Sequence, residues 1–179
     1  MRAFHAAWRA CAAAGARPDA GGRPLELQRD AAADPPRLVP AEALEAETLG
    51  VRAVGDDDGA RVAAFLDGRQ ESRVVAHAAL VPIVWGQVGA VIRQRLDRQL
   101  RTWPGGLATQ HGLWAPRSAL PAALWEDLAR RTRVTDLADG EDPAGVHPFS
   151  WHDRAYHAVQ EARESLERAL AEAWASRPS

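Results

Sequence analysis

The sequence predicts an α/β domain on a mixed sheet, with an N-terminal hairpin and flanking helices. Three observations carry that expectation. Short apolar runs occupy 61–67, 72–80 and 81–88; helix-like and strand-like segments alternate after Gly89; and 152–174 is a long amphipathic stretch. Hairpin strands followed by alternating elements are the pattern of layered α/β folds.

Taken in order, residues 1–15 read as a short Ala-rich helix. Its apolar stretch is broken by His5 and Arg9, which fits a frayed helix better than a secretory leader. Residues 16–40 mix Pro, Gly and Asp without apolar period, so 1–40 is expected to be a helical or disordered extension. Pro40 introduces a short helix that ends near Gly50, and Gly55-Asp56-Asp57-Asp58-Gly59 is an acidic turn, together filling 41–60.

The α/β domain then spans 61–175. The run 61–67 ends in Asp67-Gly68, and the following Arg69-Gln70-Glu71 makes a hairpin connection to 72–80. Pro82 marks the start of a third strand. From Gly89 onward Val88, Val91, Ile92, Leu96 and Leu100 fall at helical spacing, with Arg93, Arg95, Arg98 and Arg101 on the other faces. Pro104 and Gly105-Gly106 break the chain before a strand at 107–116. A helix at 118–131 takes Ser118 as its N-cap, and 132–139 reads as a strand. In 152–174, Ala155, Tyr156, Val159, Ala162, Leu166 and Leu170 share one face.

Composition narrows the functional classes. Hydrophobic residues make up 46% of the chain, enough for a core, which excludes wholesale disorder. No run of about 18 apolar residues suggests a membrane span. Cys11 stands alone, which excludes an internal disulfide framework and fits a cytoplasmic setting. All 22 basic residues are Arg. That is either a compositional bias or a means of gripping phosphate oxygens in pairs. A formal net charge of −2 argues against a nucleic-acid binder that is basic all over, but leaves room for a local basic surface.

Asp67 is the leading chemical candidate. A carboxylate at the end of a buried strand, with glycine beside it, is well placed to meet a hard divalent cation. The alternative is a plain hairpin turn. Glu71 offers a second carboxylate, or a solvated turn residue. His147, His152 and Asp153 cluster in sequence without zinc-ligand spacing. The seven Trp residues suit a core, with base stacking from a surface ring as the alternative.

The segment RVAAFLDGRQESRVVAHAALVPIVWGQVGAVIRQR resembles the opening of NurA-type nuclease domains, and the resemblance extends over roughly 61–175. It implies a ribonuclease-H-like fold, Asp67 as the first metal-binding carboxylate, and Mn²⁺- or Mg²⁺-dependent cleavage of DNA in end processing. Glu71 joins Asp67 as the metal-ligand candidate, with Arg69, Arg93 and Arg95 as phosphate contacts. The resemblance also implies dimerisation and work beside a HerA-type ring ATPase. In such proteins a further buried strand with a second Asp-Gly follows the long helix. Here the sequence stops at Ala175-Ser176-Arg177-Pro178-Ser179, so the sheet is expected to be incomplete and the chain inactive alone. The rival expectation is a noncatalytic binding or assembly protein, which docks the ATPase or a second chain on its Trp-rich surface, its last helix or an unpaired sheet edge.

Overall fold

A computed structural model describes residues 2–24, 62–137 and 147–177. The short helix expected after Pro40 and the acidic turn at 55–59 lie outside the described residues. The described elements are α1 (Arg2–Ala13), β1 (Arg17–Pro24), β2 (Ala64–Ala78), β3 (Val81–Leu96), β4 (Gln99–Ala115), α2 (Ala122–Arg131), β5 (Val134–Asp136) and α3 (Pro148–Ala175). They build one five-stranded sheet in the order β1-β2-β3-β4-β5. Neighbours are antiparallel except β4 and β5, which are parallel, so the sheet is mixed and helices flank it as expected.

Several expectations about individual elements are corrected. β2 does not stop at Asp67-Gly68. It continues through Arg69-Gln70-Glu71, with Asp67 opposite Val91, Gly68 opposite Ala90 and Glu71 opposite Gln87. The glycine serves packing instead of a turn: a Cβ there would overlap the Glu167 carboxylate of α3, which is held by Arg163 at 2.7 Å. The two hairpin turns contain no glycine. Ala79 takes φ 52° between β2 and β3, and Asp97 and Arg98 take φ 48° and 65° between β3 and β4. Two consecutive residues with positive φ match the twist of flanking strands, which is why two-residue hairpins use them.

The helix expected from Gly89 is likewise strand. Val88, Ala90 and Ile92 are buried at 1–2% exposure, Gly89 and Val91 between them are half-buried, and Gln87 and Arg93 on either side are exposed, a period of two. β-branched Val88, Val91 and Ile92 also suit a pleated surface better than a helix. The break expected at Pro104-Gly105-Gly106 is a local bulge within β4. Leu107 pairs with Val91 and Thr102 with Arg93, leaving residues 103–106 opposite Ile92 alone. Gly105 adopts φ 81°, and Trp103 folds back edge-on to Trp174 at 5.4 Å.

At the N-terminus, α1 packs into the core and β1 joins the sheet beside β2, and the strand Arg17–Pro24 replaces the first part of the expected linker. Ser118 caps no α-helix: it lies in a 3-10 turn at Arg117–Ala119, and Pro121 precedes α2 as its N-cap residue. Asp127 receives both Arg131 (2.8 Å) and Arg130 (3.0 Å) in the last turn of α2; the Arg131 and Arg130 hydrogen bonds hold its carboxyl below the usual range. The expected strand 132–139 shortens to β5. α3 begins earlier than expected, at Pro148.

The core lies on both faces of the sheet. On one face Val75, Ile83, Trp85 and Leu113 pack under Ala7 and Cys11 of α1 and Leu124 and Leu128 of α2. On the other, Val74, Val84, Val88 and Trp114 pack under Trp151, Ala155 and Val159 of α3, continuing to Ala90, Ile92 and Leu170. The core role of Trp85, Trp114 and Trp151 matches expectation, all three being at most 2% exposed.

Cys11 is completely buried, and desolvation pushes its thiol up to about 12. Since the thiolate is the reactive form, the folded chain should resist iodoacetamide at pH 8 and react rapidly once unfolded in urea. Equal labelling rates in both states would contradict the burial of α1.

Candidate nucleic-acid interface

β2, β3 and β4 are 15, 16 and 17 residues long, so each spans about 50 Å at the usual strand rise. α3 covers one face along this length. α1 and α2 cover only the end of the opposite face around Val75, Ile83, Trp85 and Leu113. No described element covers the rest of that second face, and strand alternation dictates what it displays.

Even-numbered residues of β2 before Ser72 turn toward α3: Gly68 meets Glu167, and Gln70 accepts from Arg163 Nε at 3.2 Å. Odd-numbered residues therefore face the open side, and their cross-strand partners share it. Phe65 lies opposite Arg93, Asp67 opposite Val91, Arg69 opposite Gly89, and Glu71 opposite Gln87. In β4 the same rows continue through Leu107, Thr109 and His111. Arg95, two residues beyond Arg93 on the same strand, falls on this side as well.

The structure thus brings Asp67, Arg69, Arg93, Arg95 and Glu71 onto one sheet face, although the argument from a helix that first singled out Arg93 and Arg95 fails. Asp67 stands diagonal to Arg93, roughly 7 Å away between Cβ atoms by sheet geometry. Arg93 is partly anchored, its Nη2 donating to the Leu100 carbonyl at 2.7 Å. Glu71 is paired with Arg73 at 2.8 Å. The face carries Arg69, Arg73, Arg93 and Arg95 against Asp67 and Glu71, an excess of positive charge on a chain whose formal net charge is −2. Where β3 crosses its middle, Gly89 leaves a depression of about 310 Å³ lined by Arg69, Glu71, Gln87 and Thr109.

The residues expected to hold a metal do not converge. Asp67 and Glu71 are four residues apart on one straight strand, about 13 Å at the strand rise, too far to share an ion. Among the described residues no group of three or more His, Cys, Asp or Glu side chains is placed to hold a metal. The described residues therefore do not by themselves fit a resident Mn²⁺ or Mg²⁺. His147 and His152 do not form a metal-binding group either; His152 instead faces His77 of β2, with ring centroids 6.4 Å apart.

Phe65, Gln87, Gly89 and Thr109 also belong to this face and were not singled out from sequence. A period of two across 87–93 is the signal that finds the β3 members. No family model, characterised protein or solved structure matches the chain. No helix among the described residues is long and apolar enough to cross a membrane.

Proposed function

We propose that the chain is a NurA-like DNA-nuclease domain that holds nucleic acid on its open sheet face and is catalytically incomplete by itself. The observation that carries this reading is Asp67 sharing with Arg69, Arg93 and Arg95 a face that no described element covers. Guanidinium groups grip phosphate oxygens in pairs, so three of them on a pleated surface suit a phosphodiester backbone. A ribonuclease-H-like arrangement, with Asp67 as one metal-binding acid, rests on the resemblance of the FLDG strand. Further acids would have to come from beyond the described residues or from a second chain. On the same basis a second copy and a HerA-type ring ATPase are the protein partners of this reading, and DNA end processing is its setting. A noncatalytic docking role is the second reading, favoured by Phe65 and Leu107, which are 48% and 64% exposed on that face.

Fluorescence anisotropy with a labelled DNA oligonucleotide at low salt tests the reading. The triple variant Arg69→Ala/Arg93→Ala/Arg95→Ala should bind about tenfold or more weakly, and its salt slope should shrink by about one unit per lost phosphate contact. Asp67→Asn should bind as well as the parent or better, because it removes a negative charge. With Mn²⁺ present, the chain alone should leave the DNA uncut. Unchanged affinity in the triple variant would remove the nucleic-acid reading and leave protein docking. Mn²⁺-dependent cutting that disappears in Asp67→Asn would show that the domain is complete after all.

A further inference from the structure

β4 spans Gln99–Ala115, yet β5 beside it covers only Leu113, Trp114 and Ala115. The Leu113 amide donates to the Arg133 carbonyl at 2.9 Å, and the Leu137 amide donates to the Ala115 carbonyl at 3.1 Å. These bonds reveal which β4 groups face away from β3. In antiparallel pairing, successive residues alternate between bonding one neighbour and facing the other way. The β3–β4 register is unbroken from Leu107 to Trp114. The amides and carbonyls of Leu107, Thr109 and His111 therefore point outward, along an edge that carries no strand among the described residues.

A groove of about 640 Å³ runs beside this edge, between β4 and α3. Ala158, Ala162 and Leu166 supply its apolar lining, and Arg133 and His157 line it together with Glu161. Arg133 sits at the start of β5 and has no ion-pair partner among the described residues. Asp136, further along β5, is already engaged, its Oδ1 accepting the Arg117 amide at 2.8 Å.

Alternating donors and acceptors at strand spacing are matched by another polypeptide backbone, the basis of recognition by strand addition. The side chains select its chemistry: a carboxylate for Arg133, a basic side chain for Glu161 and aliphatic groups for the alanine-lined wall. A strand running parallel to β4, as β5 does, would bring its C-terminal end to Arg133. We propose that the outer edge of β4 and the groove under α3 bind an extended peptide of a partner protein, parallel to β4, with its C-terminal carboxylate on Arg133. The site uses main-chain groups and the α3 side of the sheet, and it stands whether or not the opposite face binds DNA.

The probe is a fluorescein-labelled peptide, Thr-Val-Thr-Lys-Val-Asp with a free carboxyl terminus, titrated into the full chain. Saturable binding is expected, with amide hydrogen exchange at Leu107, Thr109 and His111 fast in the free chain and slowed by the peptide. Thr109→Pro should weaken binding at least about tenfold; its lost N–H faces outward, so the β3–β4 ladder keeps its bonds. Arg133→Ala should weaken the free-acid peptide about tenfold and leave a version with Asn-amide at its end unchanged. Binding by Thr109→Pro equal to the parent overturns the proposal, as does no binding up to about 1 mM peptide. Protection of the three amides in the free chain also overturns it, since the edge would then be occupied, and this readout needs no variant to fold.

Discussion

Trp114→Ala should cost the fold about 3–5 kcal/mol, the range for truncating a buried aromatic ring to a methyl group. Trp114 is 1% exposed and stands between the sheet and α3. Its strand pairs with β3 on one side and with β5 on the other, and its ring packs with Val84, Leu137, Trp151 and Val159 under α3. Deleting the ring empties the centre of that cluster, and a groove already open beside it gives the neighbours no packed wall to collapse against. Urea unfolding followed by circular dichroism measures the effect. With a slope of roughly 2 kcal/mol/M, typical for a small protein, the midpoint should fall by about 2 M. Domains of this size hold only about 5–15 kcal/mol in all, so a partly unfolded variant in buffer also fits. A midpoint shift below about 0.5 M would mean that the cluster repacks freely.

Gly86→Ala is the companion prediction, and its sign is informative. In a strand interior, alanine ordinarily gains about 0.5–1 kcal/mol over glycine by restricting the unfolded chain. Here an added Cβ would lie 2.7 Å from Trp114 Cζ3 and 2.9 Å from Val159 Cγ2, closer than carbon atoms tolerate. Both neighbours are fully buried, so neither side chain can swing out to solvent. Overpacking of this kind costs about 1–3 kcal/mol. The same urea titration should show a loss, and Trp114→Phe, with a smaller ring, should recover part of it. Contacting residues couple by about 0.5–3 kcal/mol, so the double-mutant cycle should depart from additivity by at least the lower figure. Additive effects would place the strain elsewhere.

These predictions depend on details that one-dimensional reading did not supply. Nothing local in the sequence marks Gly86, or Gly112 paired with it across the sheet, as a packing glycine. What makes room for the Trp114 ring is a pairing between β3 and β4, and pairing is a long-range fact. The same limit explains Asp67-Gly68. Locally, Asp-Gly is the chemistry of a tight turn. In the folded chain the glycine accommodates Glu167, about a hundred residues later in sequence, and the strand runs on. Conversely, the turns that do occur use Ala79 and Asp97-Arg98, whose positive φ is imposed by the pairing on either side.

The candidate face was half legible. Asp67, Glu71, Arg69, Arg93 and Arg95 were each identified from sequence, and all five lie on the open side. Their convergence was not legible, because Arg93 and Arg95 were assigned to a helix whose stripe of Val88, Val91, Ile92, Leu96 and Leu100 coincides with a helical period. Ala90 decided otherwise: at 2% exposure it is a core residue, and counting it as one restores the period of two through Val88, Ala90 and Ile92.

By itself the sequence determined the α/β composition, the core role of Trp85 and Trp114, the long last helix and the lack of an internal disulfide. Each follows from local chemistry: apolar content, periodicity and the absence of a second thiol. Tertiary structure alone decided that α1 joins the core and β1 the sheet, that the stretch after Gly89 is strand, and that no described element covers most of one face of the long meander. It also decided that the two expected metal-binding carboxylates stay apart. Those outcomes depend on which surfaces meet. Sheet register converts neighbours in sequence into residues on opposite faces, and distant residues into neighbours on the same one.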